Sequence, residues 1–139
     1  MAEIEHEIKI VASSEQVQKA LTHHDSLSRW HKAKVEGTND EIELSYPNGI
    51  VFRWRVLSSS PQKVIWHCLK GPGDSVGTEA HFKITFISPA RTLVELTHRG
   101  WPSTYGNFRK CNTLWGGLLH RLKDEVEAAI QRSESTLDR

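Results

Sequence analysis

Apolar and polar residues alternate along most of the chain. Near the start, Ile4, His6, Ile8 and Ile10 fall on one face and Glu3, Glu5, Glu7 and Lys9 on the other, the period of a half-buried strand over 3–11. Ser13, followed three residues later by Gln16, has the form of a capping box. Behind it Val17, Ala20, Leu21 and His24 repeat at helical spacing, and Asp25 is placed to cap a second short helix with Leu27 and Trp30 inward. Period two then returns, predicting strands near 33–38, 40–46, 50–58, 63–69, 78–88 and 91–99. Their even positions carry Ile42, Leu44, Tyr46, Ile50, Phe52, Trp54, Val56, Val64, Trp66, Cys68, Ala80, Phe82, Ile84, Phe86, Val94, Leu96 and His98. Their odd positions include Glu41, Glu43, Arg53, Arg55, Lys83, Glu95 and Arg99. One apolar face therefore runs through consecutive strands.

The turn at Pro47-Asn48-Gly49 tests this parity, because residues paired across an antiparallel ladder point the same way. A two-residue Asn-Gly turn would pair Ser45 with Phe52 and send Leu44 to the charged face. A three-residue loop pairs Tyr46 with Ile50, Leu44 with Phe52 and Ile42 with Trp54, and it requires a glycine at the left-handed third position. Pro47, Asn48 and Gly49 meet that requirement, so the three-residue loop with a G1 bulge is expected.

After Gly100 a short loop leads to Asn107, a candidate cap for a last helix of about 25 residues, long enough to cross a sheet. Its inward stripe is Phe108, Cys111, Trp115, Leu118, Leu122, Val126 and Ala129. Gly116 and Gly117 interrupt it, each costing about 1 kcal/mol against Ala. Close approach to the sheet, a kink, or room for a ligand would each account for them. Residues 1–132 read as one domain and 133–139 as a frayed polar tail.

The order of one strand, two short helices, six strands and one long helix gives an α+β architecture: a six- to seven-stranded antiparallel sheet covered by the C-terminal helix. The 139 residues suit a single core with no need of a metal or disulfide. With 18 Lys+Arg against 17 Asp+Glu, the chain lacks the basic excess of a nucleic-acid or anionic-membrane surface. No apolar run approaches a membrane span, and the Glu-rich start is unlike a signal peptide, so a cytoplasmic protein is expected. Cys68 and Cys111 read as two buried free thiols. Five tryptophans are the unusual feature of this composition. Trp54, Trp66, Phe82, Phe86 and Trp115, with Trp30 and Trp101, converge on the inward side, where they either fill the core or line a pocket.

Ile8–Leu21 (I-x-I-x-A-S-S-E-Q-V-x-x-A-L), then Trp30, V-I-W-H-C at 64–68, G-T-E-A-H-F at 77–82, L-T-H-R-G-W at 96–101 and W-G-G-L-L-H-R-L-K at 115–123 follow one another in an order that resembles a known superfamily. This is the SRPBCC helix-grip superfamily (START and birch-pollen-allergen proteins). Within it the chain is similar to the bacterial homologues of the heat-shock-protein-90 ATPase activator and to the polyketide cyclase-like proteins. The resemblance spans residues 4–130. It implies a curved sheet gripping the long helix and a hydrophobic cavity between them, for lipid- or polyketide-like or other aromatic molecules. It also implies a stress-linked, co-chaperone-like role as one alternative.

Trp30, Tyr46, Phe52, Trp54, Trp66, Phe82, Ile84, His98, Trp101, Phe108 and Trp115 are the residues assigned to the cavity. No metal or cofactor is expected: His67 and His81 fall on the outer face, His98 on the inner, and the adjacent His23 and His24 diverge on a helix. No nucleophile elbow and no inward carboxylate pair is present, so no catalytic residue is assigned. The single candidate is His98, as acid/base of a cyclase or dehydratase. The first reading is thus non-catalytic binding of a small hydrophobic molecule, with a His98-dependent enzyme and a co-chaperone-like protein as alternatives. The edge strand at 33–38 leaves room for a weak protein partner or a homodimer.

Overall fold

The computed structural model describes residues 2–38 and 40–137, with side chains as far as Ser133. Strand β1 (Ala2–Ile10) leads into helices α1 (Ser14–Thr22) and α2 (His24–His31). Six strands follow: β2 (Lys34–Glu36), β3 (Glu41–Ser45), β4 (Val51–Ser59), β5 (Lys63–Lys70), β6 (Glu79–Ser88) and β7 (Arg91–Trp101). A 3-10 turn at Gly73–Ser75 joins β5 to β6, and helix α3 (Asn107–Leu137) ends the chain. The strands form one antiparallel sheet in the order β1-β7-β6-β5-β4-β3-β2. This is the expected α+β architecture, a curved open sheet with the long helix across its apolar face. Among the described residues no helix is long and apolar enough to cross a membrane.

The parity of the sequence carries over into register. Leu44 pairs with Phe52 and Ile42 with Trp54. The Tyr46 N–H donates to the Ile50 carbonyl, the Gly49 N–H donates to the Tyr46 carbonyl, and Gly49 has φ +89°, so the loop is the three-residue form. The inward residues of β3 to β7 are buried almost without exception. At the far end of β4 the parity fails: the ladder shifts between Val56 and Ser58, and Ser59 pairs with Val64. Phe86 also departs from expectation. It is 63% exposed, at the end of β6 where the ladder to β7 shifts between Phe86 and Ser88.

The helices follow local chemistry with some differences. Ser13 accepts from the Gln16 N–H while Gln16 Oε1 accepts from the Ser13 N–H, the full capping box. Asp25 does not cap α2. It lies in the first turn, and His23 holds the N-cap position without a side-chain bond. Asn107 Nδ2 donates to the Pro72 carbonyl and to Asp74 Oδ1, so this side chain ties the start of α3 to the 3-10 turn. Arg29 and Arg132 both bind the almost fully buried Glu125, clamping α2 onto α3. Helix α3 continues through Leu137, beyond the boundary drawn at residue 132, and residues 138 and 139 of the expected tail lie outside the described residues.

Neither glycine of α3 is required by a close approach of the helix to the sheet. A Cβ on Gly116 would lie 3.8 Å from His6 Cε1, an ordinary contact, and one on Gly117 would meet nothing. Gly117 is exposed and helical, so it only loosens the helix. Gly117→Ala is therefore expected to raise the unfolding free energy by about 0.5–1 kcal/mol. Urea unfolding at constant m-value checks this, and an unchanged or lowered midpoint would show that the glycine has a role in the fold.

Candidate functional site

The inward face of the sheet and the first half of α3 do not meet everywhere. Between them a pocket of about 130 Å³ remains, walled by Phe52 and Trp54 of β4, His98 of β7, and Cys111, Leu114, Trp115, Leu118 and Arg121 of α3. His31 of α2, with Tyr46, Asn48 and Ile50 around the β3–β4 turn, complete it. The helical residues share one face because they recur at spacings of three and four. Phe52 and Trp54 share the inward face of β4 and stack at 5.6 Å with 8° between their planes. Ile50 and Leu114 line the pocket and are themselves exposed, 37% and 50%, which marks its mouth.

Of the residues assigned from sequence, Tyr46, Phe52, Trp54, His98 and Trp115 come together on this wall. The structure places the other six elsewhere. Trp66 is completely buried and packs edge-on to Phe82 at 4.8 Å. Trp30 stacks beyond it at 6.5 Å, with its indole N–H donated to the Ala20 carbonyl. Ile84 lies in the sheet opposite Val94. Trp101 is completely buried and packs edge-on to the half-buried Phe108. Trp30, Trp66, Phe82, Ile84 and Trp101 belong to the buried core, and Phe108 packs against it from the edge. Sequence reasoning missed His31, Asn48, Ile50, Cys111, Leu114, Leu118 and Arg121 as wall residues. The helical stripe offered a signal for Cys111 and Leu118; nothing local marked His31 or Arg121.

His98 sits at the floor with both ring nitrogens engaged. The Trp115 indole N–H donates to Nδ1 at 2.9 Å. Thr78 Oγ1 lies 2.7 Å from Nε2, and the Thr78 hydroxyl gives its single proton to the Ser75 carbonyl at 2.6 Å. An indole can only donate, so Nδ1 must accept. Thr78 has no second proton to give, so Nε2 must carry the hydrogen and donate. The imidazole is thus neutral in one fixed tautomer. Burial pushes its pKa down from 6.5 to about 4. β1 and β7 are neighbours, but Ile4 lies opposite His98, and His6 instead reaches Asn112 of α3 at 2.9 Å.

At the other side of the pocket His31 Nδ1 lies 2.7 Å from Tyr46 Oη. His31 is buried, and burial, then the charge of Arg121, lower its pKa to about 3. Burial raises the Tyr46 phenol well above its usual range. Cys68 and Cys111 are buried and unbridged, and burial pushes both thiols up to about 11, which leaves little thiolate at neutral pH. On the outer face His67 and His81 both turn to Glu79. Among the described residues no group of three or more His, Cys, Asp or Glu is placed to hold a metal ion.

No family model matches the chain. No curated protein matches it either. Solved structures do. The chain is similar to the Aha1 dimer from Colwellia psychrerythraea, with 31% identity over 91% of this chain and 97% of that one and a TM-score of 0.80. It is similar in fold to the AHSA1-like protein from Aeromonas hydrophila, with 20% identity, 92% and 94% coverage and a TM-score of 0.69. The same holds for DynU16 of the dynemicin biosynthetic locus, with 16% identity and a TM-score of 0.70 over 91% of this chain and 48% of that one.

The state of His98 sets an acid limit on stability. The unfolded chain takes up a proton near pH 6.5 that the folded imidazole refuses until about pH 4. Stability is therefore full above pH 6.5 and falls as the pH drops toward 4, by about 3 kcal/mol from this residue alone. His31 acts in the same direction over a window extending to about pH 3. Urea melts between pH 7 and 4.5 are expected to show this loss, and His98→Gln to make it shallower, with the His31 part remaining. An equal slope in both proteins would mean that His98 titrates normally.

Proposed function

The chain belongs to the SRPBCC helix-grip superfamily, in its Aha1-like group, and from that premise we propose that it binds a small, largely apolar molecule in the pocket between sheet and α3. The observation that carries this reading is the wall itself. Phe52, Trp54, Trp115, Leu114 and Leu118 present aromatic and aliphatic surface around unfilled space with an open mouth. The volume of about 130 Å³ sets the size of the occupant. A cavity of about 150 Å³ takes up benzene, so one ring or a short chain fits and a whole lipid or polyketide does not. A body of about 12 non-hydrogen atoms contributing ~0.4 kcal/mol each gives a Kd of about 0.3 mM.

The His98-dependent enzyme gains no support from the geometry. A general base needs a free lone pair, and the Nδ1 lone pair is committed to Trp115 while Nε2–H is committed to Thr78. A second reading, a co-chaperone-like protein of stress responses, is supported by the likeness to the Colwellia protein named Aha1. That protein is a dimer, which supports a homodimer here. The three-residue β2 and the longer β1 are the open sheet edges through which copies could pair.

Titration with indole and toluene is expected to change the emission of Trp54 and Trp115, which line the pocket, and to protect the fold against heat. Leu114→Trp should cover the mouth and weaken binding at least fivefold without lowering stability by more than about 1 kcal/mol. Binding unaffected by this substitution, or no response to any apolar probe, would overturn the proposal. Light scattering is expected to give twice the chain mass, and a monomer at all concentrations would remove the homodimer.

A further inference from the structure

Arg121 is out of keeping with the rest of the pocket. It is half-buried, lies one turn beyond Leu118, and brings a permanent positive charge to a wall that contains no carboxylate. No described residue makes a hydrogen bond or ion pair with it. Further along α3, Lys123 has Glu127 and Arg132 has Glu125.

The His31–Tyr46 pair on the same wall is incomplete in a way that bond counting makes definite. If the phenol donates to Nδ1, the hydrogen of neutral His31 is on Nε2, and Nε2 is buried without a partner. If Nδ1–H donates to the phenol oxygen, the phenol hydrogen is left with no acceptor among the described residues. The first form encloses the unsatisfied Nε2–H away from the pocket, whereas the second leaves the Tyr46 phenol hydrogen free to turn to a molecule in the pocket that Tyr46 lines. A protonated His31 would be a third possibility, but burial and the Arg121 charge keep the ring neutral at pH 7. Asn48, the remaining polar group at the mouth, already uses its side-chain oxygen to accept from the Ile50 N–H. The polar part of the pocket therefore offers a cation and a free donor with no anionic group to meet them.

We propose that the occupant is a small organic acid, a monocarboxylate with one aromatic ring or a short aliphatic chain. Its carboxylate pairs with the Arg121 guanidinium and accepts the Tyr46 phenol hydrogen, which is free when His31 Nδ1–H donates to the phenol oxygen. Its body lies against Phe52, Trp54 and Trp115. This assignment rests on the pocket being a ligand site, and it adds the charge of the ligand. A carboxylate suits one planar guanidinium, which it can engage through two parallel bonds. A phosphate ester would bring more charge than a single arginine balances.

Calorimetry or tryptophan fluorescence with three matched pairs tests the assignment: phenylacetate, indole-3-acetate and hexanoate, each against its primary amide, at pH 7 and low salt. At least one acid is expected to bind ten or more times tighter than its amide, with the preference shrinking as salt is raised. Arg121→Met keeps the apolar stem and should remove the preference of acid over amide. Arg121→Lys should restore part of it, and Tyr46→Phe should reduce it. Acids and amides binding equally in all three pairs, or a preference that survives in Arg121→Met, would overturn the charge assignment and leave the pocket a neutral apolar site. Binding of neither member of any pair would overturn both this inference and the binding function on which it rests.

Discussion

The hydrogen bond from Trp115 to His98 fixes the relation between helix and sheet. It is buried, it joins the middle of α3's inward face to β7, and it continues through Thr78 to the Ser75 carbonyl behind. Each link has one allowed direction, because an indole cannot accept and a threonine hydroxyl has one proton. The chain of bonds works only with a neutral imidazole. Removing any member would strand a buried polar atom at a cost of about 1–3 kcal/mol, so the helix cannot slide or rotate without breaking the run. The ring that sequence reasoning singled out as a possible catalyst is thereby a structural hinge pin.

With α3 fixed there, the five tryptophans divide between two tasks. Trp30, Trp66 and Trp101 are buried to 1% exposure or less and take up the space between sheet and helices. Trp54 and Trp115 each keep one side on the pocket. The pocket lies toward the β3–β4 side, where α3 presents the small Cys111 and the aliphatic Leu114 and Leu118 in place of a ring. An aromatic core and an aromatic-lined cavity are thus the same set of side chains. What separates them is whether the facing helix supplies a ring or a small residue at a given level.

The sheet was legible because its signal is local. Alternation sets the inward face, and the Pro47-Asn48-Gly49 loop sets the register, so the pairs Leu44–Phe52 and Ile42–Trp54 follow from the local pattern. The β4 bulge and the exposure of Phe86 were not legible, since a register shift in the ladder leaves the local alternation of residues unchanged. The pocket was legible on its strand side and, on α3, at Trp115 alone. Tyr46, Phe52, Trp54 and His98 follow from parity. Which level of α3 faces them depends on the angle of the helix, and that is set by the bond between Trp115 and His98. His31 reads as one polar residue at the end of a short helix. It becomes part of the wall only when α2 is clamped to α3 through Glu125. Arg121 reads as a solvated helical cation until the sheet is seen to curve beneath it.

These constraints concentrate unmet chemistry in one place. The two imidazoles near the pocket are both buried and neutral, yet they differ in completeness: His98 has a partner for each nitrogen, and His31 has one nitrogen without any. A protein that only needed a filled core could complete His31 as it completed His98, with a serine or threonine at small cost. It could also place an acid within reach of Arg121, as it does for Arg29 and Arg132 at Glu125. The hydrophobic surface of Phe52, Trp54 and Trp115, the His31–Tyr46 pair and Arg121 all line the same pocket of about 130 Å³. Water can solvate the charge at the mouth, but it gains nothing from the aromatic wall. An apolar body carrying an acceptor relieves all three together, which is why the incomplete polar groups and the unfilled space are best understood as one site.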